Sequence, residues 1–262
     1  MCDLDRRTVL RAGLCCACQM PLSIIAAAGS VQGKYGCGVP PADIDKIEKL
    51  IIPEESLSRE ARGFRAAVAT DGTAELKARA RAITRLCSSF SVSPDFDFFN
   101  DGDNENAMAL RPMEKYPKGK VLFGRSLYSR LMGQDPAGAS VLAVLAHEFG
   151  HIALYASGQE QAVQAGRPTA KRVELHADFL AGYYLGLRKR ENPQASLLKA
   201  GRLIWNLGDT DFDDEDHHGK PAERNRAAET GFRLGFEENA TFTRAFVAAT
   251  DYITNAYSKD PL

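Results

Sequence analysis

Net charge is almost absent from this chain: 33 basic residues stand against 34 acidic ones among 262. Without a basic face the protein has no electrostatic footprint for nucleic acid. Long apolar runs are missing beyond residue 30, so no later stretch reads as a membrane span and a soluble body is expected. Cysteine is scarce in that body. Of six cysteines, Cys2, Cys15, Cys16 and Cys18 crowd the N-terminus, which leaves Cys37 and Cys87. Internal repeats and interdomain linkers are absent as well, which points to a single domain. There are only five histidines, and two of them stand four residues apart in the most informative segment of the sequence.

The N-terminus differs from the rest. Asp5-Arg6-Arg7-Thr8-Val9-Leu10-Arg11 precedes an uncharged stretch that ends in Ile25-Ala26-Ala27-Ala28-Gly29-Ser30. A positive region, a moderately apolar middle and small residues at an Ala26-x-Ala28 cleavage site read as a bacterial secretory signal over residues 1–30. The paired arginines followed by Thr-Val-Leu resemble a twin-arginine signal, the type that exports folded proteins. The competing reading is an N-terminal core helix. Export places the mature chain in the periplasm or outside the cell. Cys15, Cys16 and Cys18 lack a good lipoprotein cleavage context, so no lipid anchor is expected. Cys37 and Cys87 are then either one disulfide or two unrelated thiols.

The pattern along residues 40–262 is helical with one interruption. Helices are expected over 40–52 and 58–87, the second with a break at Asp71-Gly72. A Phe-rich segment over 92–99, Asn106-Ala107-Met108-Ala109-Leu110 and Lys120-Val121-Leu122-Phe123 read as a small twisted sheet. Helices follow over 126–132, 139–157 and 168–190, the last two separated by a polar, Gln-rich loop. Further helices are expected over 195–207, 221–237 and 240–257. This order gives an α+β domain, mostly helical, with one small sheet.

Within the helix expected over 139–157 lies His147-Glu148-Phe149-Gly150-His151. Residues four apart on a helix lie nearly one above the other, so both imidazoles leave one face and can grip one Zn²⁺. Glu148 beside the first of them can take a proton from a water that the metal activates. A catalytic zinc needs a third protein ligand. Glu174 and Asp178, again four apart, share a face of the next helix among apolar neighbours. One can reach the metal while the other accepts the N–H of a ligating histidine and fixes its tautomer. His176 lies about 200° round the helix from Glu174 and is read as a core or surface histidine. Downstream, His217-His218-Gly219-Lys220-Pro221-Ala222-Glu223-Arg224 offers a loop histidine that can donate to the oxyanion of a tetrahedral intermediate. The acidic stretch over 209–216 lacks the Gly and terminal Glu of an EF-hand, so no calcium site is read there.

Together these elements resemble the gluzincin metallopeptidases, and especially the HtpX and CAAX-prenyl-protease type of zinc endopeptidase. The segment Glu174-Leu175-His176-Ala177-Asp178 and the one from His218 to Arg224 are also similar to elements of the bacterial neutral zinc metallopeptidases. The resemblance covers roughly residues 90–235. It implies a zincin-like domain with one Zn²⁺ per chain, held by His147, His151 and Glu174, and Glu148 as general base. Asp178 would orient His147, His218 would stabilise the oxyanion, and Arg224 would hold a carboxylate or the loop. A polypeptide substrate would add as a strand along Asn106, Ala107 and Met108. The chain departs from the membrane-bound members in lacking spanning helices around this core, so a soluble exported form is expected. Two other classes remain open on sequence alone: an idle zinc-binding scaffold and a zinc hydrolase of small amides. A purely structural zinc is disfavoured, because such sites close with four protein ligands and no cysteine lies nearby.

Overall fold

The computed structural model describes residues 74–103, 105–167, 169–197, 199–201 and 219–257. The expected signal segment, the helix over 40–52, Cys37 and His218 lie outside these residues, as do most of the helix expected over 195–207 and the acidic loop after it. The described part is mostly helical with one small mixed sheet, an α+β arrangement.

The first described helix, α1 (Ala74–Phe90), lays Ile83, Leu86 and Phe90 into the core. Cys87 is half-buried on it. Three strands follow: β1 (Asp95–Phe99), β2 (Ala107–Leu110) and β3 (Lys120–Gly124). They lie in the order β1–β3–β2, with β1 parallel and β2 antiparallel to the central strand. Alternate residues sort onto two faces, as the period of a strand requires. Phe98, Ala107, Ala109, Val121 and Phe123 join the main helical core. Phe99, Met108, Leu110 and Leu122 form a second cluster with Tyr116 from the 111–119 connection, which folds over that face. Strand β2 starts at Ala107 rather than Asn106. Asn106 uses its side chain locally, its Oδ1 accepting the Ala107 N–H at 2.8 Å.

Helix α2 (Arg125–Gln134) is capped from a distance. Asp101, in the turn after β1, accepts the backbone N–H groups of Ser126 and Leu127 at 2.8 and 3.1 Å. Next comes α3 (Ala139–Ser157), in which 16 of 19 residues are buried. A helix apolar on all sides belongs in the centre of a fold. By length and composition α3 could cross a membrane, yet 89% of that apolar stretch is covered by the rest of the protein. It stops at Gly158, whose φ of 68° is the left-handed conformation that ends a helix without penalty. The Gln-rich stretch read as loop contains a short helix, α4 (Glu160–Gln164).

Helices α5 (Lys171–Glu191), α6 (Pro221–Phe236) and α7 (Phe242–Ala256) complete the described fold. Between α5 and α6 the backbones nearly touch. A Cβ on Gly182 would lie 1.9 Å from the Ala228 carbonyl oxygen, and one on Gly231 the same distance from that of Phe179. Gly186 and Gly235 repeat the arrangement one turn on, where a Cβ would stand 2.3 Å from the Phe232 carbonyl oxygen and 2.2 Å from that of Tyr183. Any side chain there would push the helices apart, since interaxial distance follows the bulk at the contact. Near the start of α5 the buried guanidinium of Arg172 ties down the far end of α7. Its Nη2 donates to the Tyr257 carbonyl at 2.5 Å, and its Nη1 to the Val163 carbonyl at 3.3 Å. The first of these bonds fixes the end of α7 against α5.

Candidate metal centre

Helices α3 and α5 meet where Gly150 faces Ala177. A Cβ on Gly150 would stand 3.1 Å from the Ala177 Cα, so the two backbones approach closely at the turn that carries His147 and His151. This closeness lets the carboxylates of α5 reach the imidazoles of α3. His147 Nε2 and His151 Nε2 are 3.1 Å apart. The Glu174 carboxylate spans them, Oε2 at 3.2 Å from His147 Nε2 and Oε1 at 3.3 Å from His151 Nε2. All three residues are buried, Glu174 and His151 completely. Together they form a group that could hold a metal ion.

The spacing tests that fit. Atoms bound about 2.0–2.1 Å from a tetrahedral ion stand about 3.3 Å from one another. The two imidazole nitrogens, 3.1 Å apart, are near that edge length, and Glu174 meets each of them with a different carboxylate oxygen, at 3.2 and 3.3 Å. Two imidazoles and one carboxylate suit several divalent ions of the first transition row, zinc among them, and not calcium, which takes six or more oxygens.

His147 is oriented by charge. Its Nδ1 meets Asp178 Oδ1 at 2.9 Å. In the neutral ring that metal binding requires, Nδ1 would donate its hydrogen bond to that carboxylate and leave the Nε2 lone pair facing His151 and Glu174. Asp178 is in turn held by Arg224 of α6, which donates from Nε to Oδ2 at 2.7 Å and from Nη2 to Oδ1 at 2.9 Å. The same Nη2 lies 3.7 Å from Glu174 Oε2. The glycine contacts between α5 and α6 therefore deliver a fully buried guanidinium to the back of the site.

The buried acids favour a positive charge on His147. Burial pulls the His147 pKa down, but Asp178 and Glu174 outweigh it and hold it at about 10. Burial lowers that of His151. Burial would raise the Asp178 pKa, and the Arg224 charge with the His147 hydrogen bond keeps it below the usual carboxylate range. Glu148 is the exception among the acids. It is completely buried, neither carboxylate oxygen has a hydrogen-bond partner among the described residues, and burial pushes its pKa up to about 8. A carboxylate so desolvated costs free energy unless something is destined to meet it.

The remaining sequence-read residues fall in different places. His176 is a core histidine: its ring packs edge-on against Phe246 of α7, its Nε2 is 3.3 Å from Thr250 Oγ1, and burial pushes its pKa down to about 3. Ala107 and Met108 lie on β2, which is an edge strand and packs on α3, with Asn106 just before it. The chain beside His218 is described from Gly219, whose φ of 95° favours glycine and where a Cβ would stand 3.2 Å from the Leu175 side chain. Three residues carry no role in the sequence pattern: Gly150, which sets the α3–α5 distance, Tyr155, whose ring lies beside that of His151, and Arg111, which lies over the Tyr155 ring. Tyr155 does have a signal, since it follows His151 by four residues and so continues the same helix face. No protein-family model matches the chain, and no curated protein or solved structure matches it.

Proposed function

We propose that this protein is a zinc-dependent endopeptidase with a zincin-like fold, exported through its twin-arginine-like N-terminal segment to the periplasm or beyond the cell. The observation that carries this reading is the buried convergence of His147, His151 and Glu174 beside the unpartnered carboxylate of Glu148. These three residues would hold Zn²⁺. Bound there, the ion supplies Lewis acidity to the scissile carbonyl and to the attacking water.

The chain's own residues do the rest. A Glu148 oxygen accepts the proton of the attacking water and returns it to the amide nitrogen as the C–N bond breaks, leaving a carboxylate and an amine. Asp178 keeps the His147 proton on Nδ1, and Arg224 keeps Asp178 charged and in place. His218 donates a hydrogen bond to the oxyanion. An extended peptide would add along Asn106, Ala107 and Met108, which are buried here, and would gain affinity from backbone bonds with modest sequence selectivity.

Metal analysis of the purified chain is expected to give one zinc. Digestion of casein is expected with the metal present and lost on chelation. Replacing Glu148→Gln is expected to leave the zinc content unchanged and to abolish cleavage, by about 10³-fold or more. Full activity in that variant would overturn the mechanism. Activity confined to small synthetic amides would replace the endopeptidase by a small-amide hydrolase.

A further inference from the structure

The two imidazoles of the site are supported in different ways. His147 has a carboxylate on its second nitrogen, and that carboxylate has a guanidinium. His151 Nδ1 is buried and has no hydrogen-bond partner among the described residues. Ligating imidazoles ordinarily have their second nitrogen bonded to a group that fixes the ring. His151 has a ring neighbour instead. Tyr155, one turn further along α3, lies within 19° of parallel to it, with centroids 6.0 Å apart. The Arg111 guanidinium, at the end of β2, sits 4.6 Å from the centroid of that same Tyr155 ring. Arg111 is anchored by Glu160, the first residue of α4, with its Nε 3.1 Å from Oε2 and its Nη2 on Oε1. The Tyr155 hydroxyl is buried and makes no hydrogen bond among the described residues. Its ring, and not its hydroxyl, is therefore what meets the neighbours.

We infer that Tyr155 is a positioning residue for the metal site: its ring, clamped by Arg111, fixes the rotation of the His151 imidazole so that Nε2 faces the ion. It does by stacking what Asp178 does for His147 by hydrogen bonding. Offset rings at this separation attract beyond their simple contact area, and a guanidinium over the ring adds a cation–π term. Without the ring, the imidazole loses one of the surfaces that hold its χ2, and a smaller part of the population presents Nε2 to the site. The inference rests on the proposal that His147, His151 and Glu174 bind zinc.

The test is Zn²⁺ affinity, measured on the full chain by competition with a chromophoric chelator, while unfolding of the chelator-stripped chain is followed in parallel. Tyr155→Phe keeps the ring and is expected to bind zinc within about twofold of the parent. Tyr155→Leu is expected to bind about 10- to 100-fold more weakly, the range for losing a group that orients a ligand. Tyr155→Met fills the volume with a flexible apolar chain, so the core stays occupied if the leucine variant does not fold, and the same loss is expected. With Co²⁺ in place of zinc, the visible spectrum is expected to change in the Leu and Met variants and to persist in the Phe variant. Parent-like zinc affinity in a folded Leu or Met variant overturns the inference alone. So does a loss in Tyr155→Phe as large as that in Tyr155→Leu, which would assign the role to the hydroxyl. A parent chain that binds no zinc, or binds it equally well after His147→Ala, overturns the metal-site proposal itself and takes this inference with it.

Discussion

Helix α5 packs against α3, α6 and α7, and its seams with α3 and α6 are built on opposite plans. Against α6 it presents glycines, and the backbones come close enough that Gly182 and Gly231 leave no room for a Cβ. Against α3 it presents one such contact, Gly150 on Ala177, and beside it a cluster of buried acids and imidazoles. The first seam sets a distance and contributes a single functional group, Arg224. The second uses its distance to bring the Glu174 carboxylate against both imidazoles, at 3.2 and 3.3 Å. Small residues without chemistry thus determine whether the residues with chemistry can meet.

The comparison can be broken most directly at its tightest point. Gly231→Ala puts a methyl where the Phe179 carbonyl already stands and is expected to cost about 3 kcal/mol or more, read as a fall in the urea midpoint. An unchanged midpoint would mean the two helices separate freely. Removing the one functional group of that seam should come next. Arg224→Met leaves Asp178 buried without its cation, and a loss of about 3 kcal/mol in the chelator-stripped chain is expected by the same measurement.

The α3–α5 seam should respond differently. In Gly150→Ala the added methyl meets the Ala177 Cα at 3.1 Å, a distance the neighbour can relieve by a few tenths of an ångström. Stability is expected to fall by only about 1 kcal/mol, while zinc affinity falls about tenfold because the ligand distances open. Equal proportional losses in both properties would erase the distinction between the seams.

The smallest effect belongs to the half-buried rim of the α5–α6 seam. There Lys171 Nζ meets Glu223 Oε1 at 2.8 Å, and the Lys220 backbone N–H meets Oε2 at 2.9 Å. Burial would raise the Glu223 pKa, but Lys171 and the Lys220 N–H bring it below the ordinary value of 4.5. A depressed carboxylate pKa contributes stability that is complete above the unfolded-state value and is lost as the pH falls through the folded one. The stability difference between the parent and Glu223→Gln is therefore expected to hold at neutral pH and to shrink below pH 4.5. Urea midpoints from neutral to acidic pH check it, and a gap that widens on acidification would contradict it.

Much of α3 is legible in the chain alone, because an apolar run closed by Gly158 leaves little freedom over where the helix stops. The i, i+4 pairs also carry their meaning in the spacing, since helical geometry places His147 with His151 and Glu174 with Asp178 before any tertiary contact is known. Helix α4 escapes such a reading because five residues, mostly polar, carry no periodic signal. The strand pattern starts β2 one residue early, since a propensity for strand does not reveal that Asn106 Oδ1 turns back to its neighbour's N–H. The glycine seam is invisible in sequence for a deeper reason. Gly182-x-x-x-Gly186 and Gly231-x-x-x-Gly235 are weak patterns singly, and only tertiary packing shows that each is the space left for the other's carbonyls. The partner of Arg224 is likewise open in sequence between a carboxylate and a loop, a choice that depends on how α6 lies on α5.

Arg172 gives the fold one more property. Its guanidinium reaches the carbonyl of Tyr257 from a position only two residues before Glu174. Loosening the last turn of α7, by a fused tag or a nick close to it, would leave a desolvated cation short of an acceptor two residues before Glu174 on α5. Under the zinc proposal, damage at a remote-looking surface is expected to register as weaker metal binding.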